Sequence, residues 1–219
     1  MTIHDLTVPL HNGMPFYPGD PAPQFTRLQE HTRGDEWTVT HLSMSAHTGT
    51  HVDAPLHRFQ NGATVDSLNL RDLIGRAYVV DLSNVVSEIT ANDLIARNIP
   101  RNTKRLILKT RNAELWQRDD FQINYVALSG DGAQWLVGRG IRLVAFDYLS
   151  ADIYATQKYP AHNILLGAGV VIVEGVMLGG IAEGWYVLIC LPLRIQVAEG
   201  APARAVLLSG TSLFDYEEE

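Results

Sequence analysis

Short strand-like runs constrain the fold of this chain more than any other feature of its sequence. They are rich in Val, Ile, Leu and Tyr, and most are bounded by Gly, Pro, Asn, Asp or Ser, which favour turns. Nine such runs cover residues 3–10, 38–45, 77–82, 105–110, 125–128, 141–147, 170–173, 186–191 and 205–208. A chain with this pattern builds most of its core around a sheet.

Helical signals are fewer and lie between the strand-like runs. Thr90 starts a capping pattern that predicts a helix ending near Pro100, and Asp131 is a candidate N-cap for a helix over residues 132–137. A third helix is expected over residues 161–166. Because the strands outnumber the helices and are interspersed with them, we predict an α/β domain with a mixed, strand-rich sheet.

Composition narrows the class of protein. The chain of 219 residues fits one domain over residues 1–219, and its hydrophobic fraction of 46% suits a globular core. The formal net charge of -7 and the lack of any Lys/Arg block argue against nucleic-acid binding. The longest apolar stretches, 164–177 and 186–193, are interrupted and too short to span a membrane.

The expected location is the cytoplasm. The first residues show no basic segment followed by an apolar one, so we find no signal-peptide pattern. The single cysteine, Cys190, cannot form an intrachain disulfide, which suits a reducing compartment. Since Cys190 lies inside an apolar strand-like run, we expect a buried thiol and no cysteine chemistry.

A dense group of imidazole and carboxylate side chains lies between residues 47 and 57. It contains His47, His51, Asp53 and His57, and these side-chain types bind Zn²⁺ or Mn²⁺ at neutral pH. In a straight strand the first two histidines would stand about 13 Å apart, whereas two ligands of one zinc ion lie within about 4 Å. The chain must therefore bend between them, and Gly49 allows that bend. Any one of these histidines alone would be taken as a surface or core residue, but the set favours a metal site.

Three or four ligands from one segment rarely complete a metal site, so further ligands are expected elsewhere. His162 and Glu174 are the strongest candidates. Glu174 ends a strongly apolar run, where an ionised carboxylate needs a metal or a partner to offset desolvation. On its own, Glu174 fits a solvated strand end equally well.

The spacing His47-x-Gly-Thr-His51-x-Asp53-x-Pro-x-His57 resembles the signature of the metal-dependent cyclase family, which includes bacterial kynurenine formamidases and isatin hydrolases. Further resemblance covers residues 18–20, 62–66, 73–75, 191–194 and 201–206. The resemblance implies a swivelling β/β/α domain. It also implies a homodimer or higher homo-oligomer in which a neighbouring subunit can contribute to the pocket.

The resemblance further implies a dinuclear centre, with Zn²⁺ expected, two ions per subunit, and Mn²⁺ as an alternative. His47, His51 and Asp53 would hold the first ion, Asp53 and His162 the second, and Glu174 both. His57 would be the catalytic acid/base and not a permanent ligand.

The implied reaction is hydrolysis of N-formyl-L-kynurenine to kynurenine and formate in tryptophan degradation. One departure concerns the substrate pocket, where Tyr17 stands in place of the Trp expected before Pro-Gly-Asp. Tyr17 can still stack on an aromatic substrate, whereas Trp37 and Trp185 are expected to serve packing. The expected partner is thus a small aryl formamide or cyclic amide.

Three alternatives remain at this stage. A relative within the same family could open a cyclic amide or lactone, as an isatin hydrolase does. A serine hydrolase is weaker, because the segment 210–214 fails the Gly-x-Ser-x-Gly pattern. A non-catalytic metal- or ligand-binding protein is disfavoured by His57, since a proton carrier has no purpose in a purely structural site.

Overall fold

A computed structural model describes residues 1–154 and 156–210 of the chain. Most of the segment 210–214 therefore lies outside the described residues. Within them, the strands are β1 (Thr2–Asp5), β2 (Gln24–Gln29), β3 (Val39–Ser43), β4 (His51–Asp53), β5 (Ile74–Asp81), β6 (Glu88–Ile89), β7 (Arg105–Lys109), β8 (Ala127–Leu128), β9 (Leu143–Phe146), β10 (Val171–Glu174), β11 (Gly184–Pro192) and β12 (Gly200–Ser209). The α-helices are α1 (Leu70–Leu73), α2 (Ala91–Ala96), α3 (Gly130–Gly138) and α4 (Pro160–Gly167).

The main sheet closes on itself like a barrel. Its eight strands run in the order β1-β12-β11-β5-β7-β9-β10-β4, and β4 pairs antiparallel with both β10 and β12. Strands β5, β7, β9 and β10 are parallel, whereas β11 and β12 are antiparallel to their neighbours. This arrangement confirms the predicted α/β class with a mixed, strand-rich sheet.

The strands are buried on both faces because helices cover the outside of the sheet. In β7, the side chains of Leu106 and Leu108 pack with α2, α3 and α4, while Ile107 packs into the barrel interior. Side chains alternate across a strand, so a strand covered on both sides is a continuous apolar run. Cys190 is fully buried inside the barrel, as predicted.

Two of the three predicted helices begin as expected. Thr90 caps α2 through a capping box with Asp93, and α4 covers the predicted range 161–166. The predicted cap of α3 is wrong, because Ser129 accepts the hydrogen bond from the Gly132 backbone N–H. Asp131 lies in the first turn and accepts instead from the backbone N–H of Ala91. Ser and Asp are both favoured at the N-cap of a helix, so the sequence does not distinguish Ser129 from Asp131. The contact between Asp131 and α2 decides which of the two is the cap.

A hairpin of β2 and β3 lies outside the main sheet and leaves apolar side chains in solvent. Leu28, Val39 and Leu42 are exposed, and so is Trp37 between the strands, with 64% of its surface accessible. The expectation that Trp37 serves packing is therefore wrong within one chain. Trp185 does pack, edge-on against Tyr78. Among the described residues, no helix has the length and apolarity needed to cross a bilayer.

Candidate metal centre

The short strand β4 presents two of the predicted ligands on one face. His51 and Asp53 are two residues apart, so they point the same way, while Val52 between them points into the apolar barrel interior. All three side chains are buried. The predicted bend before them is present, since Gly49 has a φ of 63° in the left-handed region that favours glycine.

Strand pairing brings Glu174 to the same place. In the antiparallel register of β10 and β4, Glu174 lies opposite His51. The chain after Glu174 passes so close to the loop before β4 that a Cβ on Gly175 would lie 2.5 Å from the carbonyl oxygen of Gly49. Glycine at position 175 is therefore required for the approach that places the carboxylate beside the histidines.

His162 reaches the site from α4, the helix that connects β9 to β10. It lies in the first turn of this helix and is buried. Its Nε2 atom is 3.5 Å from Asp53 Oδ2 and 3.3 Å from Glu174 Oε1. A residue more than a hundred positions after β4 thus joins the same cluster.

Two carboxylates each face two imidazoles. His51 Nε2 lies 3.4 Å from Asp53 Oδ1 and 3.5 Å from Glu174 Oε2, while the second oxygen of each carboxylate faces His162. Ligand atoms at about 2.1 Å from one ion in tetrahedral geometry are about 3.4 Å apart. The spacings therefore suit the ligands of a metal ion, and the ligand atoms of His51, Asp53 and Glu174 all lie within 4.8 Å of one another.

Unpartnered buried atoms provide a second test of the fit. Among the described residues, His47 Nε2, His51 Nε2 and Asp53 Oδ2 are buried without a hydrogen-bond partner. Such atoms cost free energy in a folded protein unless another group satisfies them. Two of the three, on His51 and Asp53, belong to the shared arrangement, so the residues present fit a metal ion.

Hydrogen bonds outside the cluster orient the imidazoles. His51 Nδ1 lies 2.9 Å from the carbonyl oxygen of Gly49, and His162 Nδ1 lies 2.6 Å from Asp152 Oδ2. If each Nδ1 carries the hydrogen, each Nε2 keeps a lone pair that points into the cluster. Asp152 is itself held by the backbone N–H groups of Ala161 and His162. The sequence analysis missed Asp152, although an Asp inside a largely apolar stretch is a detectable signal.

The histidines of the cluster lower the pKa values of its two carboxyl groups. Burial alone would raise the pKa of Glu174, but hydrogen bonds with His162 and His51 outweigh burial and lower it to about 2. Burial also opposes ionisation of Asp53, yet the charges of His47 and His51 hold the pKa of this carboxyl well below its usual range. Both carboxylates are therefore ionised at neutral pH and require positive charge beside them.

Burial and the neighbouring carboxylates also have opposite effects on the pKa values of two histidines. Burial lowers the pKa of His47, but the neighbouring Asp53 outweighs burial and raises the pKa to about 9. Burial likewise disfavours the charged form of His162, whereas its hydrogen bonds with Asp152, Asp53 and Glu174 raise the pKa well above its usual value. Both shifts reflect the negative charge of the carboxylates packed against these imidazoles.

His57 occupies a different place in the site. It ends the short 3-10 helix Pro55–His57, and its ring centroid lies 4.3 Å from that of His47 and 5.7 Å from that of His162. Burial lowers the pKa of His57, and the opposing charge of Asp53 does not offset it. His57 is also within 4.8 Å of donor atoms of His47 and Asp53, so geometry alone would also allow it to be a ligand.

A pocket of about 230 Å³ opens onto the cluster. Tyr17, the candidate substrate-binding residue, is among the residues that line it. The Tyr17 ring packs edge-on against Phe121 at 5.3 Å and lies 6.0 Å from Tyr154. Residues of the pocket that the sequence analysis missed are Asp20, Arg58, Leu149, Ser150 and Tyr159.

The hydrogen bond from His162 to Asp152 leads to a prediction. Replacing Asp152 with Asn should weaken metal binding by about 10- to 100-fold, because the amide orients and polarises His162 less well than the carboxylate does. Metal titration of the purified protein with a competing chelator would measure this. Asp147→Asn is a matched control, since Asp147 is another buried carboxylate but bonds to Thr110 outside the site. Equal affinities for Asp152→Asn and wild type would contradict the role of Asp152.

Comparison with known proteins assigns the class that this fold and site define. The structure superposes with a TM-score of 0.82 on a protein described as a potential metal-dependent hydrolase with cyclase activity, at 34% identity, covering 94% of this chain and 96% of that one. An isatin hydrolase from Labrenzia aggregata shares the fold at 24% identity, with a TM-score of 0.80 and coverage of 94% and 93%. The chain therefore has the fold of these proteins.

Sequence comparison identifies the family. The Cyclase family model, described as "Putative cyclase", matches residues 4–153, so the chain belongs to the cyclase family. Cyclase-like protein 2 of Oryza sativa subsp. japonica is 42% identical over 80% of this chain and 66% of its own length. Kynurenine formamidase of Bacillus cereus is 34% identical over 93% of this chain and 95% of its own length.

Proposed function

We propose that this protein hydrolyses N-formyl-L-kynurenine to kynurenine and formate in tryptophan degradation. The observation that carries the proposal is the pair of buried carboxylates, Asp53 and Glu174, each of which faces both His51 and His162. The similarity to a kynurenine formamidase over nearly the whole chain supports the substrate. The similarity to cyclase-like plant proteins does not indicate one.

Two Zn²⁺ ions are the proposed cofactors, with Mn²⁺ as the alternative. His47, His51 and Asp53 would hold one ion and Asp53 with His162 the other, while Glu174 would contact both. When bound, such ions polarise a carbonyl group and lower the pKa of water towards about 7. The shared carboxylates favour two ions over one, because each presents its two oxygens to different imidazoles.

His57 is the proposed proton carrier of the reaction. In hydrolysis of a formamide, water adds to the formyl carbon, the C–N bond breaks, and the amine leaves with an added proton. Since burial lowers its pKa, His57 is neutral at pH 7, so it can accept a proton from the attacking water and deliver it to the leaving nitrogen. Tyr17, held by Phe121, would contact the aromatic ring of the substrate.

Metal analysis combined with a substrate panel tests the proposal. The purified protein should contain close to two equivalents of zinc or manganese and should cleave N-formylkynurenine and simpler aryl formamides. Isatin, a lactone and a simple ester complete the panel. Faster opening of isatin or the lactone would show that the preferred substrate is cyclic and not a formamide. Metal-loaded protein that cleaves no formamide would refute the proposal.

The exposed hairpin supports a homo-oligomer, and we propose a dimer. Strands β2 and β3 form their own two-stranded sheet, and an isolated hairpin is at best marginally stable in water. A second copy of the chain would cover Trp37 and Leu42. In sedimentation equilibrium the wild type should be dimeric and Leu42→Glu monomeric, with Val86→Glu as an exposed control elsewhere. A monomeric wild type would contradict the dimer.

The cytoplasm is the proposed location of the protein.

A further inference from the structure

The lining of the pocket carries two opposite charges that the proposed chemistry does not use. Arg58 and Asp20 both line the pocket, together with Tyr17 and Tyr159. Neither charge belongs to the buried cluster of histidines and carboxylates. Since they line the pocket but lie outside this cluster, they would meet a part of the substrate away from the reacting bond.

The Arg58 guanidinium is held in a defined position. Its Nε donates a hydrogen bond of 3.0 Å to Asn163 Oδ1. The guanidinium carbon Cζ lies 4.6 Å from the ring centroid of Tyr159. The Asn163 amide is itself oriented, since its Nδ2 donates to the carbonyl oxygen of Lys158. Among the described residues, none accepts a hydrogen bond from the terminal Nη atoms of Arg58.

The backbone of Tyr159, whose ring stacks against Arg58, is strained. Tyr159 adopts φ 44° and ψ 56°, the left-handed region, just before α4 begins. For a residue other than glycine this conformation is uncommon and strained. Residues held in such conformations cluster at functional sites. Here the conformation places an aromatic ring beneath the Arg58 guanidinium.

A tight turn supplies another part of the pocket lining. The backbone N–H of Asp20 donates to the carbonyl oxygen of Tyr17, with Pro18 and Gly19 between them. Gly19 has a φ of 107°, and proline followed by such a glycine is typical of a type II turn. The turn fixes Tyr17 and Asp20 relative to each other, so one short segment presents both an aromatic ring and a carboxylate to the pocket.

We propose that Arg58 and Asp20 form a recognition site for a zwitterionic α-amino-acid group, with the substrate carboxylate on Arg58 and its ammonium on Asp20. The two terminal nitrogens of a guanidinium match the two oxygens of a carboxylate. This inference rests on the proposed function and extends it: the preferred substrates are aryl formamides that carry an amino-acid side chain. Neutral ring amides such as isatin would gain nothing from these charges.

The test compares two formamides that differ only in the amino-acid group, N-formylkynurenine and 2′-formamidoacetophenone. Arg58→Gln should lower the ratio of their kcat/KM values by about 10-fold, because a charge-assisted hydrogen bond is lost. Asp20→Asn should lower the ratio in the same direction, and Arg58→Lys should restore part of it. High salt should also reduce the wild-type ratio, since Arg58 is exposed.

Arg139→Gln is the matched control, because Arg139 also stacks on an aromatic ring, that of Trp135, but lies outside the pocket. Its ratio should equal that of the wild type. An unchanged ratio in both Arg58→Gln and Asp20→Asn would overturn the inference. This includes the case in which both kcat/KM values fall equally, since equal losses leave the ratio unchanged.

Calorimetric binding of kynurenine and 2′-aminoacetophenone separates this inference from the proposed function. A wild-type protein that cleaves neither formamide refutes the proposed function. If that protein still binds kynurenine more tightly, and Arg58→Gln removes the difference, the recognition site stands. If it binds both ketones equally, the recognition site is refuted as well.

Discussion

The Asp53→Asn protein is expected to retain its fold but to lose its metal and at least about 10³-fold in kcat/KM. Asp53 is buried, and its two oxygens face three imidazoles: His47 at 2.8 Å, His51 at 3.4 Å and His162 at 3.5 Å. An amide carries no charge and offers one acceptor atom, so the centre would lose both an anion and a shared oxygen. A loss of several kcal/mol in transition-state stabilisation corresponds to that factor.

Elemental analysis, circular dichroism and steady-state kinetics on the same sample would measure this. Asp147→Asn serves again as the buried control and should retain both metal and activity. Removal of the metal from the wild type with a chelator should abolish turnover, and added zinc or manganese should restore it. Full metal content and near-normal turnover in Asp53→Asn would show that Asp53 is not a ligand.

The second large effect is expected for His57→Ala, in which kcat should fall by about 10²- to 10⁴-fold while the metal content stays the same. Loss of a positioned proton carrier typically has an effect of this size. The His57 ring lies 4.3 Å from the His47 ring and lines the pocket in which the proposed substrate would bind. Added imidazole should recover part of the activity, because it can enter the space that the side chain vacates.

The metal content decides between two roles for His57. Its donor atom lies within 4.8 Å of those of His47 and Asp53, a spacing that would also allow a third ligand there. If His57→Ala loses metal together with activity, His57 is a ligand and its assignment as proton carrier is wrong. If both metal and activity are retained, His57 has neither role.

Local sequence patterns predicted the parts of the fold and site that depend on neighbouring residues. The run of strands β5, β7, β9 and β10 follows from apolar residues between turn residues, and Thr90 and Asp93 sufficed to start α2. The bend at Gly49 followed from ligand spacing alone. Each of these is decided by interactions across a few residues, so each can be read from the chain.

Other features depend on contacts between distant segments. Closure of the barrel needs β4 to pair with both β10 and β12, and β4 is too short to be recognised from its own three residues. Ser129 replaced Asp131 as the cap of α3, and Trp37 stayed exposed although its type favours burial. In each case the outcome depends on which neighbour packs there.

The sequence by itself predicted the candidate ligands of the site, the bend at Gly49, and the need for residues outside the segment 47–57, with His162 and Glu174 as the candidates. Only the tertiary structure decided that Asp53 and Glu174 each face both His51 and His162, and that Asp152 holds His162 in place. Only the structure, likewise, brings Arg58 and Asp20 to one pocket. The physical reason is that these distances are set by strand register and helix packing, which no local pattern encodes.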